Sequence, residues 1–358
     1  MKKYARALGA VLAASALALT ACSAGGSSDG STAGSGSGGS GDPLVVYSNS
    51  VSDGRGEWLT DAAKKAGFEI QFVDLGGADV MNRLIAEKAN PVADVVFGLN
   101  QVYYEKLDAQ GVLADSKPSW ADKVDAEQFG NGKTYWPIVR EPVMLVYNPE
   151  ALSGAEVPTD WPDLWTKKGL SGRYETPAEL GGATTQMVLS GILTRYADEK
   201  GDLGISDEGW NAVKQYFKNG NRAVEGEDLY ARIAAGEVDA GQMWLAGKAM
   251  RDEQYGLKTE AVHPKIGVPM VAQSVAVVKG TKHEESAQKF LDWFGGAESQ
   301  AAWSKQFFTA PMNEDAIADA NADAVKQTDS FETQEVDWAF VATNIDAWVE
   351  KVTLEYLG

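Results

Sequence analysis

Leu44-Val-Val-Tyr-Ser48 and Asp94-Val-Val-Phe97 are the first and third of three short β-forming runs near the start of the folded region. The second run covers residues 68–73, and helix-forming segments at residues 56–66 and 78–88 separate the three runs. A chain that alternates strands with helices in this way forms β-α-β units and a parallel sheet. This stretch therefore predicts an α/β fold.

Polar side chains follow two of these runs. Ser48 and Asn49 end the first run, and Asn100 comes shortly after the third. In open α/β sheets, ligands bind beyond the carboxyl ends of the strands. We therefore predict Ser48, Asn49 and Asn100 as ligand-binding residues, although Ser and Asn in such loops also commonly form turns or cap helices.

The first 41 residues predict export followed by anchoring. Three basic residues precede an uncharged run at residues 8–19, and small residues come just before Cys22, the one cysteine in the chain. This order is typical of a secretory signal peptide, here residues 1–21. The segment around Cys22 resembles a bacterial lipobox, which predicts lipidation of that cysteine. Residues 22–41 are rich in Gly and Ser and predict a flexible tether.

Composition excludes several classes of partner. The chain has 358 residues and a formal net charge of −19, and removal of residues 1–21, which hold three basic residues and no acids, leaves −22. Such an acidic surface argues against binding to nucleic acid or to anionic lipid headgroups and favours solubility outside the cell. The 317 residues from Asp42 onward exceed the usual size of one hydrophobic core, which predicts two lobes.

Several segments together resemble one family of proteins. They are Leu44-Val-Val-Tyr-Ser48, residues 90–100, Ser274-Val-Ala-Val-Val-Lys-Gly-Thr281, residues 287–293, residues 298–300 and Thr309-Ala-Pro-Met-Asn313. These segments and their order resemble those of the extracellular solute-binding lipoproteins of bacterial ABC importers, family 1. Within that family they are most similar to the group that includes ferric-iron, thiamine and aminoethylphosphonate receptors.

The resemblance implies a two-lobed periplasmic-binding-protein-like fold of type II. Each lobe is expected to be a mostly parallel sheet with flanking helices, and crossover strands are expected to join the lobes. The first lobe would comprise residues 42–142 plus 274–311, and the second lobe residues 143–273 plus 312–358. Within the second lobe, residues 313–334 predict an acidic loop, and the apolar stripe after Trp338 predicts a helix that covers this lobe.

Arg140 lies just before the point where, by this resemblance, the chain first crosses between the lobes. Its guanidinium is suited to clamp a carboxylate or phosphonate with two parallel hydrogen bonds. A salt bridge to Glu141 or to another of the many acids is the alternative. We predict Arg140 as a ligand-binding residue.

Gly181-Gly-Ala-Thr-Thr-Gln186 opens a helix in the second lobe. The free N–H groups at a helix start attract anions, glycines allow close approach, and the hydroxyls of Thr184 and Thr185 add donors. Plain N-capping is the alternative. We predict both threonines as ligand-binding residues, although the segment lacks the lysine of a phosphate-binding P-loop.

Gln242-Met-Trp244 ends a later strand at the position where ferric-iron receptors of the family carry two adjacent tyrosines. An indole and a thioether offer nothing to a hard ferric ion, so direct iron binding is disfavoured. Gln242 and Trp244 are instead predicted to contact an organic solute, as is Gln273 near the return crossing. His263 and His283 stand alone without metal-ligand spacing, so we predict no metal site.

The sequence predicts a receptor rather than an enzyme. No Gly-x-Ser-x-Gly turn and no cluster of metal ligands occurs after residue 41, and no cofactor is expected. The predicted function is to capture a small solute, preferably an anionic or zwitterionic organic molecule such as a phosphonate, and to deliver it to an ABC permease. The protein is expected to be a monomer on the outer face of the cell membrane, extracellular or periplasmic, with contact only through its lipid. Receptors for iron(III), thiamine or polyamines, and a secreted hydrolase, are the alternatives.

Overall fold

The structure is a computed structural model that describes residues 42–357. The predicted signal peptide, the tether and the lipidation site Cys22 all lie outside the described residues. From Asp42 onward the chain forms one compact unit. Among the helices of the described part, none is long and apolar enough to cross a membrane.

Strands and helices alternate along most of this unit. The strands are β1 (Leu44–Ser48), β2 (Ile70–Asp74), β3 (Val95–Phe97), β4 (Trp136–Tyr147), β5 (Glu175–Thr176), β6 (Ala197–Asp202), β7 (Asn221–Arg222), β8 (Ala240–Trp244), β9 (Glu260–Ala261), β10 (Met270–Val277) and β11 (Ala310–Pro311). The helices are α1 (Arg55–Lys65), α2 (Gly77–Glu87), α3 (Gln101–Ala109), α4 (Ala126–Phe129), α5 (Asp163–Thr166), α6 (Ala183–Leu193), α7 (Asp207–Asn219), α8 (Leu229–Ala235), α9 (Leu245–Tyr255), α10 (Glu284–Phe294), α11 (Ala297–Phe307), α12 (Ala322–Asp329) and α13 (Trp338–Tyr356).

The main sheet is mixed. β1 lies between β2 and β3 and runs parallel to both, as the opening stretch of sequence predicts. β10 then pairs antiparallel with β3 and with β4, and β11 pairs antiparallel with β4. Within the main sheet, parallel pairing is therefore confined to β1, β2 and β3, the strands that helices α1 and α2 connect. A separate two-stranded sheet pairs β5 with β7 in parallel.

β4 is the strand that joins the two halves of the fold. Its residues 136–142 pair with β10, whereas residues 143–147 pair with β8. The strand includes both Pro137 and Pro142. Each proline lies where a lost N–H matters little: Pro137 is next to a register shift in β10, and Pro142 is where the pairing partner changes.

Each half of the fold has its own core. In the first half, Phe97 packs edge-on against Phe294 of α10 on one face of the sheet, and Tyr47 packs with α2 and α3 on the other. In the second half, α6, α7 and α13 enclose a cluster that contains the fully buried Trp161 and Trp348. The apolar stripe predicted on the last helix is confirmed by the burial of four of its residues, Val341, Ile345, Trp348 and Val352.

Residues 313–334 differ from the predicted acidic loop. They contain a 3-10 helix, Glu314–Asp319, and the helix α12. The side chain of Asn313 accepts a hydrogen bond from the N–H of Asp315, and that of Asn321 accepts one from the N–H of Ala324. These caps stabilise two short helices in the acidic segment. The apolar periodicity of each helix is too short for the sequence to predict it.

Candidate functional site

A cavity of about 700 Å³ lies where the first three strands end and where the chain crosses between the halves. This volume is within the range of small-molecule sites in proteins. Six of the nine predicted ligand-binding residues line it, namely Asn49, Asn100, Thr184, Thr185, Trp244 and Gln273. The fold therefore brings together residues that are up to 224 positions apart in the chain.

The other three predicted residues do not line the cavity. Ser48 is fully buried, and its Oγ accepts a hydrogen bond of 3.0 Å from the N–H of Ser50. Gln242 donates from Nε2 to Thr185 Oγ1 at 2.8 Å and so supports a lining residue. Arg140 forms an ion pair with Asp329 of α12. The alternative role considered for Arg140, a salt bridge to an acid, is therefore the one seen in the structure.

Three helices begin beside the cavity without a side-chain cap. Their N-cap residues are Gly54 of α1, Gly76 of α2 and Gly182 of α6, and none of the three helix starts has a side-chain cap hydrogen bond. Residues at all three starts line the cavity. The first N–H groups of a helix have no partner inside the helix and carry partial positive charge, so those of α2 and α6 favour an anionic group. At α1, the N–H groups of Arg55 and Gly56 already donate to the carbonyl oxygens of Ser52 and Val51.

Glycine is required at one of these starts by close packing. A Cβ on Gly77 would lie 2.7 Å from Cε2 of Tyr103 and 3.2 Å from Nδ2 of Asn49. Tyr103 is itself buried, and its hydroxyl is 3.4 Å from the carbonyl oxygen of Gly181 in the second half. Any larger residue at position 77 would therefore displace side chains at the cavity wall.

Arg55 is a lining residue that the sequence reasoning missed. It is the first residue of α1, and its side chain is only 13% exposed. The guanidinium lies 5.2 Å from the ring centroid of Phe307 and pairs with Asp53 at 3.3 Å. Its place at a helix start shortly after β1 was the available sequence signal, because such starts face the ligand side of a parallel sheet.

Glu141 is the second missed residue. It lies on β4 next to Arg140, lines the cavity and is 5% exposed. Its Oε1 accepts a hydrogen bond of 2.8 Å from the N–H of Ala246 in the first turn of α9. Burial raises the pKa of Glu141 to about 7, although the Ala246 N–H and the charge of Arg55 oppose the rise.

Carboxylates dominate the charge of the cavity wall. Besides Glu141, four exposed or partly exposed acids line it: Asp53, Asp74, Asp79 and Glu179. Among the described residues in this lining, Arg55 is the only basic side chain. The wall therefore combines a negative field with a guanidinium and open helix starts.

Two buried polar atoms at the wall lack a hydrogen-bond partner among the described residues. They are Nδ2 of Asn100 and Oγ1 of Thr309. Asn100 also caps α3, since its Oδ1 accepts from the N–H of Tyr103. Capping and binding are thus compatible in Asn100, because the cap occupies only the oxygen of the amide.

The histidines and the buried Tyr104 of the described part contact other groups of the protein. The described residues contain no group of three or more His, Cys, Asp and Glu side chains placed to hold an ion. His283 bonds to Asp94 through Nδ1, and His263 stacks on Phe331. Tyr104 is fully buried and donates to the carbonyl oxygen of Ser274, and burial raises its pKa well above the usual value.

The chain is similar to known solute-binding proteins over most of its length. It is 32% identical over 314 residues to a Sinorhizobium fredii protein provisionally named an ABC transporter periplasmic-binding protein. The match covers 88% of this chain and 86% of the relative. A Salmonella typhimurium protein provisionally named a 2-aminoethylphosphonate-binding periplasmic protein is 24% identical, over 86% of this chain and 90% of its own length.

Solved structures show the same fold. The ferric binding protein from Campylobacter jejuni superposes with a TM-score of 0.73 at 18% identity, over 88% of this chain and 99% of that one. A sequence model of the bacterial extracellular solute-binding protein family matches residues 57–333. Because this match covers most of the chain, the protein belongs to the bacterial extracellular solute-binding proteins.

Proposed function

We propose that this ABC-type solute receptor binds a small zwitterion, with a phosphonate, phosphate or carboxylate at one end and an ammonium at the other. The observation that carries the proposal is the composition of one cavity wall. Uncapped helix starts and Arg55 favour an anionic group, while five carboxylates favour a cationic one. The provisional name of the Salmonella relative, which specifies 2-aminoethylphosphonate, is consistent with this class of solute.

The excess of carboxylates also supports a second candidate. An organic cation such as a polyamine or thiamine would satisfy the acids without needing the helix starts. A purely anionic solute is disfavoured, because its charge would face the same carboxylates at close range. Ferric ion, which the C. jejuni protein is named for, would meet carboxylates, hydroxyls and amides but no tyrosine in the described lining.

Closure of two lobes around the solute is the proposed mechanism. The boundaries proposed are residues 42–142 plus 274–311 for the first lobe and residues 143–273 plus 312–358 for the second. The change of pairing partner along β4 between residues 142 and 143 supports this division. Closure would exclude water from the cavity and strengthen each polar contact with the solute, so affinity would depend on contacts made in the closed state.

The partners and location follow from the same proposal. The closed receptor would deliver its solute to an ABC permease, and it would act as a monomer without catalysing a reaction. Lipidation of Cys22 would hold it at the outer face of the membrane. The tether, residues 22–41, would then connect the lipid anchor to the folded part and let that part reach the permease.

Calorimetric titration of the mature protein tests the proposed solute class. The probes are 2-aminoethylphosphonate, ethylphosphonate, which lacks the ammonium, and ethylamine, which lacks the anion. We expect binding of the zwitterion to be at least tenfold tighter than binding of either half-molecule. Spermidine or thiamine binding without any response to 2-aminoethylphosphonate would replace the proposal with the second candidate, and binding of ferric citrate alone would refute both.

A further inference from the structure

We propose that Glu141 is the residue that recognises the ammonium group of the solute, and that it releases a proton when the solute binds. The inference rests on the proposed class of solute and adds to it a specific residue and a dependence on pH. It follows from where the carboxylate lies, which contacts it already makes and which charges surround it.

Glu141 lies at the meeting point of several elements of the cleft. It belongs to β4, the strand that crosses between the halves, and it bonds to the N–H of Ala246 at the start of α9. Gln273 approaches from β10, the other crossing strand, with Nε2 at 3.5 Å from Oε2. A group bound at this carboxylate would therefore contact the place where the two halves are joined.

The carboxylate retains unused acceptor capacity. An ionised carboxylate has about four lone-pair sites on its two oxygens. Oε1 is engaged by Ala246, whereas Oε2 has only the contact with Gln273, which is at the outer limit for a hydrogen bond. Since Glu141 is among the residues that line the cavity, a donor in the cavity has access to these remaining sites.

Neighbouring charges leave the carboxylate without a close cationic partner. Arg55 on α1 acts on it at a distance and pairs directly with Asp53. Arg140, the preceding residue on β4, pairs with Asp329 of α12. The two basic side chains of α9 are also engaged, since Lys248 pairs with Asp252 and Arg251 pairs with Asp228. An ammonium from the solute would supply the missing partner.

Burial without a partner makes protonation competitive with ionisation. The pKa of Glu141 is raised from 4.5 to about 7, so a substantial fraction of the receptor carries a neutral carboxyl at neutral pH. An ammonium within the cavity favours the ionised form. Binding then transfers the carboxyl proton to solvent and leaves a carboxylate paired with an ammonium, so charge and atoms balance.

Glu141 differs in this respect from the other acids of the wall. Asp74, Asp79 and Glu179 are exposed, so water and salt screen their attraction for a cation. A buried carboxylate interacts more strongly with a bound ammonium, because the surrounding medium is less polarisable. Glu141 is therefore expected to contribute most to discrimination between a solute with an ammonium and one without.

The test compares the mature wild-type protein with Glu141→Gln and with the control variant Glu179→Gln. The Gln side chain at position 141 keeps an oxygen that can accept a hydrogen bond from the N–H of Ala246, but it cannot ionise. The substitution at position 179 removes an exposed acid from the same cavity wall. Affinities for 2-aminoethylphosphonate, ethylphosphonate and spermidine are measured by calorimetry at pH 6 and pH 8. Circular dichroism and thermal unfolding establish that each variant is folded.

We expect the wild-type affinity for 2-aminoethylphosphonate to fall about tenfold more than that of Glu141→Gln when the pH drops from 8 to 6. Comparison with the variant removes the contribution of the phosphonate, which itself titrates in this range. At pH 8 the variant should bind the zwitterion at least tenfold more weakly than the wild type and bind ethylphosphonate no more weakly. Titrations in two buffers of different ionisation enthalpy should show more proton release in the wild type than in Glu141→Gln, and the difference reports the proton of Glu141.

The outcomes separate this inference from the proposed solute class. If 2-aminoethylphosphonate binds with the same pH dependence in wild type and Glu141→Gln, the inference is wrong and the solute class stands. If only spermidine binds, and does so through Glu141 with proton release, the inference stands and the zwitterion is wrong. If neither compound binds, both are overturned.

Discussion

Two regions of the cavity wall use an arginine in opposite ways. In the turns and helix starts after β1 and β2, Arg55 begins α1 and lines the cavity. In the middle of β4, Arg140 pairs with Asp329 and does not line the cavity, whereas its neighbour Glu141 does. Successive side chains of a strand point to opposite faces, so only one of these two neighbours reaches the cavity.

The comparison shows that position along the chain does not decide which charge a site receives. Arg140 precedes the point on β4 where the pairing partner changes, but the pleat of β4 directs a carboxylate inward there. The positive charge is supplied instead by α1, about 85 residues earlier in the chain. The resulting site has a guanidinium on one wall and a buried carboxylate on another, which is the pattern that a zwitterion requires.

The largest expected effect tests the burial of Glu141 on β4. The pKa of Glu141 is raised in the folded protein, so its ionisation destabilises the solute-free fold as the pH rises from about 4.5 through about 7. In urea unfolding, Glu141→Gln should gain about 2 to 3 kcal/mol relative to wild type between pH 5 and pH 8. An equal stability difference at both pH values would show that Glu141 does not titrate in this range.

The next effect compares the two arginines directly. Arg55→Ala should weaken binding of 2-aminoethylphosphonate by about 2 kcal/mol, roughly 30-fold in Kd, because charge-assisted hydrogen bonds are lost. Arg140→Ala removes only a partly exposed ion pair and should change Kd by less than about twofold. Calorimetry on both variants checks this, and a larger loss in Arg140→Ala would reverse the assignment of the two regions.

The smallest expected effect concerns packing at the helix starts. Gly77→Ala should cost about 1 to 2 kcal/mol of folding free energy, since its Cβ would press against Tyr103. Gly181→Ala is the matched control, because no heavy atom of the described part, its chain neighbours aside, would lie within 4 Å of its Cβ. Thermal unfolding of the two variants should separate them, and equal stabilities would contradict the close packing at α2.

Sequence reasoning located much of the fold because its signals are local. The parallel order of β1, β2 and β3 follows from alternating strands and helices, and the last helix, α13, buries the apolar stripe predicted after Trp338. α12 escaped prediction because its eight residues contain a single valine and two alanines as apolar side chains and so show too little periodicity. Its stability depends on a cap and on contacts with distant elements.

For the candidate site, residues in loops and at helix starts were easier to predict than residues on the crossing strand. Asn49, Asn100, Thr184 and Thr185 line the cavity because a parallel sheet directs the ends of its strands to one edge. Arg140 and Glu141 are adjacent and both charged, and nothing local indicates which of them faces inward. The variants Arg140→Ala and Glu141→Gln measure the contribution of each of these two residues to solute binding.

The sequence by itself determined the family, the α/β class and the alternation that builds the first sheet, because these depend on patterns read along the chain. Only the tertiary structure decided the charge of the cavity. That charge depends on which face of β4 turns inward, on which helix starts remain uncapped, and on the burial that raises the pKa of Glu141. These are properties of packing between residues far apart in the sequence, so no local pattern records them.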